Sequence, residues 1–196
     1  MASHVMASWP VLPAAPLEAP GPHSEAFRRA GCDSYRSAAR YLHELPYGRN
    51  SDRADFRLVL SEKHGTCSTK HALLAAAARE QDLSVQLTIG IYDMTDANTP
   101  GVGRILAAHG LTRLPEAHCH LKYAGHRVDI TRSGISAQAP IVFQEEWTIE
   151  PDQIGEHKVA LHRRYLRDWL REHREPRLSL EQIWRIRESC ILALGP

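Results

Sequence analysis

Residues 67–81, CSTKHALLAAAAREQ, are dense in good helix formers and fix the first element of the fold. Gly65 and Thr66 precede the run. Gly65 permits a tight turn, and the Thr66 hydroxyl suits the cap of a first helical turn whose amides lack intrahelical acceptors. Asp82 breaks the helix. From Ser84 to Tyr92 the period changes: Val85, Leu87, Ile89 and Ile91 share one face of an alternating run, which predicts a half-buried strand.

The flanking sequence supplies the remaining elements. Residues 1–24 carry Pro10, Pro13, Pro16, Pro20 and Pro22 among alanines and read as a disordered, extended tail. Met6 offers a second start, with Met1–Val5 then a cloning remnant. Asp33 suits an N-cap, and Tyr35, Ala38, Ala39 and Leu42 follow at helical spacing until Pro46, Gly48, Asn50 and Ser51 open a loop. An apolar patch spans Phe56 to Leu60. A polar loop from Asp93 to Pro115 holds a short helix near Val102 to His109.

Segments 117–123 and 126–131, separated by Ala124 and Gly125, read as a hairpin. Ile141 to Ile149 reads as a further strand, with Ile141, Phe143, Trp147 and Ile149 in phase. Pro151 starts a basic helix running to about His173, Pro176 interrupts, and Ser179 with Gln182 caps a last helix. The buried stripe of that helix is Leu180, Ile183, Trp184, Ile191 and Leu194. Helix, strands and helices in that order predict an α+β fold, with residues 25–196 as a single domain.

Charge is nearly balanced, 24 Lys and Arg against 23 Asp and Glu, so nothing in it favours nucleic acid or an anionic membrane as partner. No apolar run approaches the roughly 20 residues that span a bilayer, and no secretory signal pattern is present. A cytoplasmic location is expected. Cys32, Cys67, Cys119 and Cys190 are scattered and should be free thiols there. The basic run His162, Arg163, Arg164, Arg167, Arg171 and Arg174, offset by nearby acids, reads as a solvated helix face.

Among the cysteines, Cys67 stands apart because it opens a helix. The dipole and free amides there favour its thiolate, and those amides suit an oxyanion hole. A histidine base held by a carboxylate would complete a triad. Alternation puts His118, His120 and Lys122 on one face of the first hairpin strand, with Cys119 pointing the other way as core. A two-residue turn sets His120 opposite Asp129 and His118 opposite Thr131, so both histidines reach the carboxylate and geometry slightly prefers His120.

The segment GTCSTKHALLAAAARE followed by an alternating strand resembles the nucleophile helix of the transglutaminase-like superfamily. EAHCHLKYAGHRVDIT is similar to that superfamily's histidine strand and closing Asp-x-Thr. The resemblance covers about Tyr35 to Thr131. It implies a papain-like core in which the nucleophile helix packs on an antiparallel sheet, with Cys67 as nucleophile, His118 as base and Asp129 as orienter, and with Gly65, Thr66, His71 and His120 lining the site. No cofactor is implied. The implied chemistry is acyl transfer from an amide or ester of a peptide, protein or small amide, with protease or amidase action favoured over cross-linking. Arylamine N-acetyltransferases share the Cys, His, Asp order but match less well, because their arginine-rich lead-in is missing.

Two other readings use the same residues. His71 lies one turn from Cys67, so Cys67, His71, His118 and His120 suit a four-ligand metal site. Position 120 holds histidine where the superfamily usually has an aromatic, which suits a catalytically silent binding module of the same fold.

Overall fold

A computed structural model describes residues 8–133, 139–173 and 178–195. Within them the chain is α+β, with seven α-helices and a four-stranded antiparallel sheet. The second proposed start at Met6, Met1–Val5, Arg174 and Pro176 lie outside the described residues.

The helix at Cys67–Glu80 (α4) sits at the centre, packed against α1 (Pro22–Arg29), α2 (Tyr35–Glu44), α3 (Leu58–Glu62) and the sheet. Every residue from Cys67 to Ala78 is buried. From Ala72 to Ala78 the alanine and leucine content explains this, since small apolar side chains let neighbours approach from every direction, while the buried polar side chains Ser68 to His71 are hydrogen-bonded.

Strand β1 (Gln86–Met94) is flanked by β2 (Leu114–Tyr123) and β4 (Phe143–Ile149), and β3 (His126–Val128) pairs with β2 at the edge. The Ala124-Gly125 turn forms as expected, with φ of 47° and 80°, and pairs Tyr123 with His126. Leu87, Ile89, Ile91, Ala117, Cys119 and Leu121 form one face and join α4 in the main core. The other face of β1 is covered too, since Thr88 and Tyr92 are also buried. Instead of the expected half-buried strand, β1 is a central one.

A bulge between Ile91 and Tyr92 changes the phase of β4. Trp147 and Ile149 stay opposite Ile89 and Leu87, while Phe143 comes opposite Tyr92 on the histidine face and not in line with them. The Phe143 ring fills the space over Gly90, where an added Cβ would lie 2.3 Å from a ring carbon. It also stacks on His120, with centroids 4.6 Å apart.

The expectation of a disordered tail fails for residues 8–24. Trp9–Val11 forms a short 3-10 helix and α1 begins at Pro22. Leu12 and Leu17 are buried, and the backbone is tied down: Tyr35 N donates to Ala15 O at 2.8 Å and Arg36 Nε to Leu12 O at 2.8 Å. Glu80 accepts from the Ser24 amide at 2.6 Å and the His23 amide at 3.0 Å at the start of α1. Prolines prevent one continuous α-helix over this segment, yet they also reduce the entropy lost on ordering it.

The N-cap of α2 is Ser34, not Asp33, in a reciprocal pair with Ser37. Tyr35, Ala38, Ala39 and Leu42 are all buried as the spacing predicts. At the carboxyl end, α6 (Glu156–Glu172) follows a 3-10 turn at Pro151–Ile154, and α7 (Leu180–Leu192) is capped by Ser179 with Gln182. The buried residues of α7 are Ile183, Ile186, Arg187, Cys190 and Ile191, with Leu180, Trp184 and Leu194 only partly covered. His162, expected on a solvated face, is fully buried. No helix among the described residues is long and apolar enough to cross a membrane.

Gly90→Ala should push the Phe143 ring from its place and destabilise the fold by about 1–3 kcal/mol. The readout is the midpoint of urea unfolding, and adding Phe143→Leu should recover part of the loss. An unchanged midpoint for Gly90→Ala would show that the ring is not confined.

Candidate active site

The lead-in to Cys67 is held by a chain of hydrogen bonds. Thr66 caps α4: its amide donates to Thr69 Oγ1 at 3.0 Å, and its own hydroxyl accepts from the Thr69 amide at 3.4 Å. Thr69 Oγ1 donates to Asn50 Oδ1 at 2.8 Å, and Asn50 Nδ2 donates to His64 O at 3.0 Å. Gly65 is needed for space, because an added Cβ would meet Thr69, Lys70 and Val59 side chains at 2.9–3.0 Å. Its amide already donates to Pro46 O at 3.3 Å, so Gly65 does not offer a free donor to a substrate. With the Thr69 amide capped, the Cys67 and Ser68 amides are the first-turn donors left without a helical acceptor.

His118 arrives on β2, buried at 7% exposure, with Nε2 3.0 Å from Asp129 Oδ2. Expected pairings of His120 with Asp129 and of His118 with Thr131 do not form, because the β2–β3 ladder ends at Leu121 and Val128. Beyond Val128 the chain turns. Thr131 N donates to Asp129 Oδ1 at 2.7 Å, and the carboxylate is left facing His118. With Nε2 committed to Asp129, Nδ1 is the ring nitrogen free for the thiol. His118 acts on Cys67 both as a charge and as a hydrogen-bond partner.

His120 is fully buried between Phe143 and Glu146. Its Nε2 lies 3.0 Å from Glu146 Oε1, but off the direction a hydrogen bond requires. Burial, aided by the His118 charge, holds His120 down to about 3, so it stays neutral. His71 is fully occupied: Nδ1 donates to Cys67 O at 2.6 Å and Nε2 accepts from Ile130 N at 2.9 Å. Burial lowers it to about 4, so its 3.5 Å approach to Asp129 is not a salt bridge. These bonds leave no lone pair on His71 for a metal, and no group of three or more His, Cys, Asp or Glu among the described residues is arranged to hold one. The four residues of the metal reading do not form a ligand set.

The structure adds a residue that the sequence reading passed over. Lys158 of α6 is 7% exposed and donates to Ser68 Oγ at 2.6 Å. Ser68 Oγ lies 3.9 Å from Cys67 Sγ and 3.6 Å from Cys119 Sγ. Burial by itself would raise the Cys67 thiol, but the Lys158 ammonium and then His118 outweigh it and bring the thiol to about 6. Burial also opposes the charged forms of His118 and Asp129. The Asp129 and Cys67 charges nevertheless hold His118 well above the usual imidazole range, and His118 holds Asp129 below the usual carboxylate range. The thiolate is therefore lost only as pH falls through about 6, while the imidazolium persists as pH rises past its ordinary value. Cys119 shares the neighbourhood, but burial raises its thiol.

A signal for Lys158 exists in the sequence: it falls in register with Leu161, His162 and Leu166 on the buried stripe of α6, where a lysine is out of place. The same helix and α7 close a narrow cleft of about 70 Å³ over Cys67, with Tyr47, Glu116, Trp184 and Arg187 among its walls. Arg187 grips both Glu116 oxygens, with Nε to Oε2 at 2.7 Å, and fixes α7 to β2 beside the site. Alternation along β2 places Glu116 with His118, but nothing local in sequence points to its arginine partner 71 residues away.

Iodoacetamide should alkylate Cys67 with a midpoint near pH 6, and Lys158→Met should move that midpoint up toward the ordinary thiol range near about 8.5. Cys32 and Cys190, pushed up to about 11 by burial, and Cys119 should stay silent at neutral pH. An ordinary profile in the unaltered protein would rule out an activated sulfur. Compared with known proteins, the chain matches no protein-family model, no curated protein and no solved structure. The geometry around Cys67 therefore carries the functional reading by itself.

Proposed function

We propose that the protein is a cysteine-dependent acyl-transfer enzyme of transglutaminase-like type, acting on an amide or ester and favouring water as acceptor. One observation carries this reading: His118 is bound to Asp129 through Nε2 at 3.0 Å, which leaves Nδ1 for the sulfur, and its charge acts on Cys67. A nucleophile helix packed on an antiparallel sheet agrees with the same reading.

In the proposed cycle the Cys67 thiolate attacks the carbonyl carbon, and the oxygen takes up negative charge beside the Cys67 and Ser68 amides. His118 gives its Nδ1 proton to the leaving amine or alcohol as the carbonyl bond to that group breaks, which leaves a thioester on Cys67. Neutral His118 then takes a proton from water. The hydroxide oxygen adds to the thioester carbon, the acid departs, and the thiolate and imidazolium are restored. Asp129 holds the ring throughout and stabilises its charged form. Lys158 holds the sulfur as thiolate before substrate arrives.

The silent-module reading draws on histidine at position 120. Here His120 is neutral and stacked on Phe143 with ring planes 14° apart, so it fills the place of an aromatic without adding charge to the site.

Incubation with p-nitrophenyl acetate should yield p-nitrophenol with turnover and an acetyl adduct on Cys67 detectable by mass spectrometry. Cys67→Ala should abolish both, and Asp129→Asn should slow turnover by about 10²–10⁴-fold while the fold persists. Activity should fall as pH drops through about 6, where the thiolate is protonated, and again at high pH as His118 loses its proton. Turnover that survives Cys67→Ala, or a folded wild-type protein that forms no adduct, would refute the proposal.

A further inference from the structure

The mouth of the Cys67 cleft carries more positive charge than it can use internally. Arg187 uses all three of its nitrogens, with Nε and Nη2 on Glu116 and Nη1 on Glu188 at 2.7 Å. Glu188 is also the partner of Arg49, at 2.9 Å, and of Arg53, at the longer distance of 3.6 Å. Three guanidinium groups thus share two carboxylates. The excess falls on Arg53, whose side chain is 58% exposed, and on the partly exposed Arg49.

Both arginines line the cleft that reaches Cys67, alongside apolar Ile154, Val159 and Ile191, whose low polarizability concentrates the field. Arg53 and Val159 also border an open groove of about 700 Å³ that continues from the cleft. A chain lying in that groove with its carbonyl at Cys67 passes Arg53 at the junction.

Resting on the reading of Cys67 as nucleophile, we infer that the acyl donor carries a carboxylate, and that Arg49 and Arg53 bind it at the mouth of the cleft. A planar guanidinium pair suits a carboxylate through paired N–H donors, and a neutral substrate makes no use of them. The carboxylate belongs either to an acidic side chain or to a chain terminus.

Three iodoacetyl reagents test this on the full chain: iodoacetyl-glutamic acid α-amide, iodoacetylglycine, and neutral iodoacetyl-glutamine amide. At neutral pH and low salt, one or both carboxylate reagents should label Cys67 on the order of ten-fold faster than the neutral one. A preference for the glutamic reagent identifies a side-chain carboxylate, and a preference for iodoacetylglycine identifies a terminal one. Arg53→Gln, at an exposed position, should reduce the ratio several-fold, and Arg49→Gln with Arg53→Gln should bring it close to one. Equal rates in the wild type, or a preference that survives both substitutions, would overturn the inference while leaving the nucleophile intact. Failure of all three reagents to label Cys67 would instead remove the nucleophile, and the inference with it.

Discussion

The site is held together by a succession of charges of alternating sign, most of them buried. Asp129 faces His118, His118 faces Cys67, and Cys67 faces Lys158, each acting on the next as a charge partner. Lys158 in turn acts on Glu116, which is locked to Arg187, which holds Glu188. A lone buried ion loses several kcal/mol of hydration, and pairing offsets that only with good geometry and further hydrogen bonds. Interior members of this succession have a partner of opposite sign on each side, and the excess charge comes out at the arginines of the cleft mouth.

Such a succession needs a rigid frame, and α4 provides it. The first turns of this helix bind three separate parts of the chain. Thr69 reaches Asn50, Lys70 Nζ donates to Leu45 O at 2.6 Å and Thr131 O at 2.9 Å, and His71 accepts from Ile130 N. Lys70 and His71 thereby fix the segment that follows β3, and with it Asp129. The side chain that orients the imidazole is set by the helix that carries the thiol, and not by the hairpin alone. Burial costs Lys70 some of its basicity, lowering it to about 8, yet two carbonyls satisfy its ammonium.

Local features of the fold were legible in the sequence because local residues determine them. Thr66 before an alanine-rich run and the Ala124-Gly125 turn specify their own geometry and are observed, and the run after Ser84 forms a strand, though one buried on both faces. The choice between His118 and His120 was not legible. It depends on the ladder stopping at Val128, and the stop is enforced by His71 and Lys70 from about 60 residues away. A regular strand period puts Phe143 on the wrong face, because a bulge has no firm sequence mark. The order of the amino-terminal segment escapes the sequence for a different reason: composition reports what a segment can do alone, whereas Leu12 and Leu17 are ordered by a surface that other elements create.

Three imidazoles crowd the site, with His118 centroids 6.2 Å from His71 and 6.5 Å from His120, and mutual repulsion allows one of them to be charged. The proton goes where compensation is greatest. Only His118 has a carboxylate in line with one ring nitrogen and a thiolate acting on it as a second partner. His71 spends its ring on two backbone groups, which fixes a neutral tautomer, and His120 meets Glu146 at an angle that gives little. Once His118 is charged, it pushes both neighbours further down and strengthens the assignment. Residues that on sequence alone suit a histidine-rich metal site therefore act as a filter that places one proton beside one sulfur.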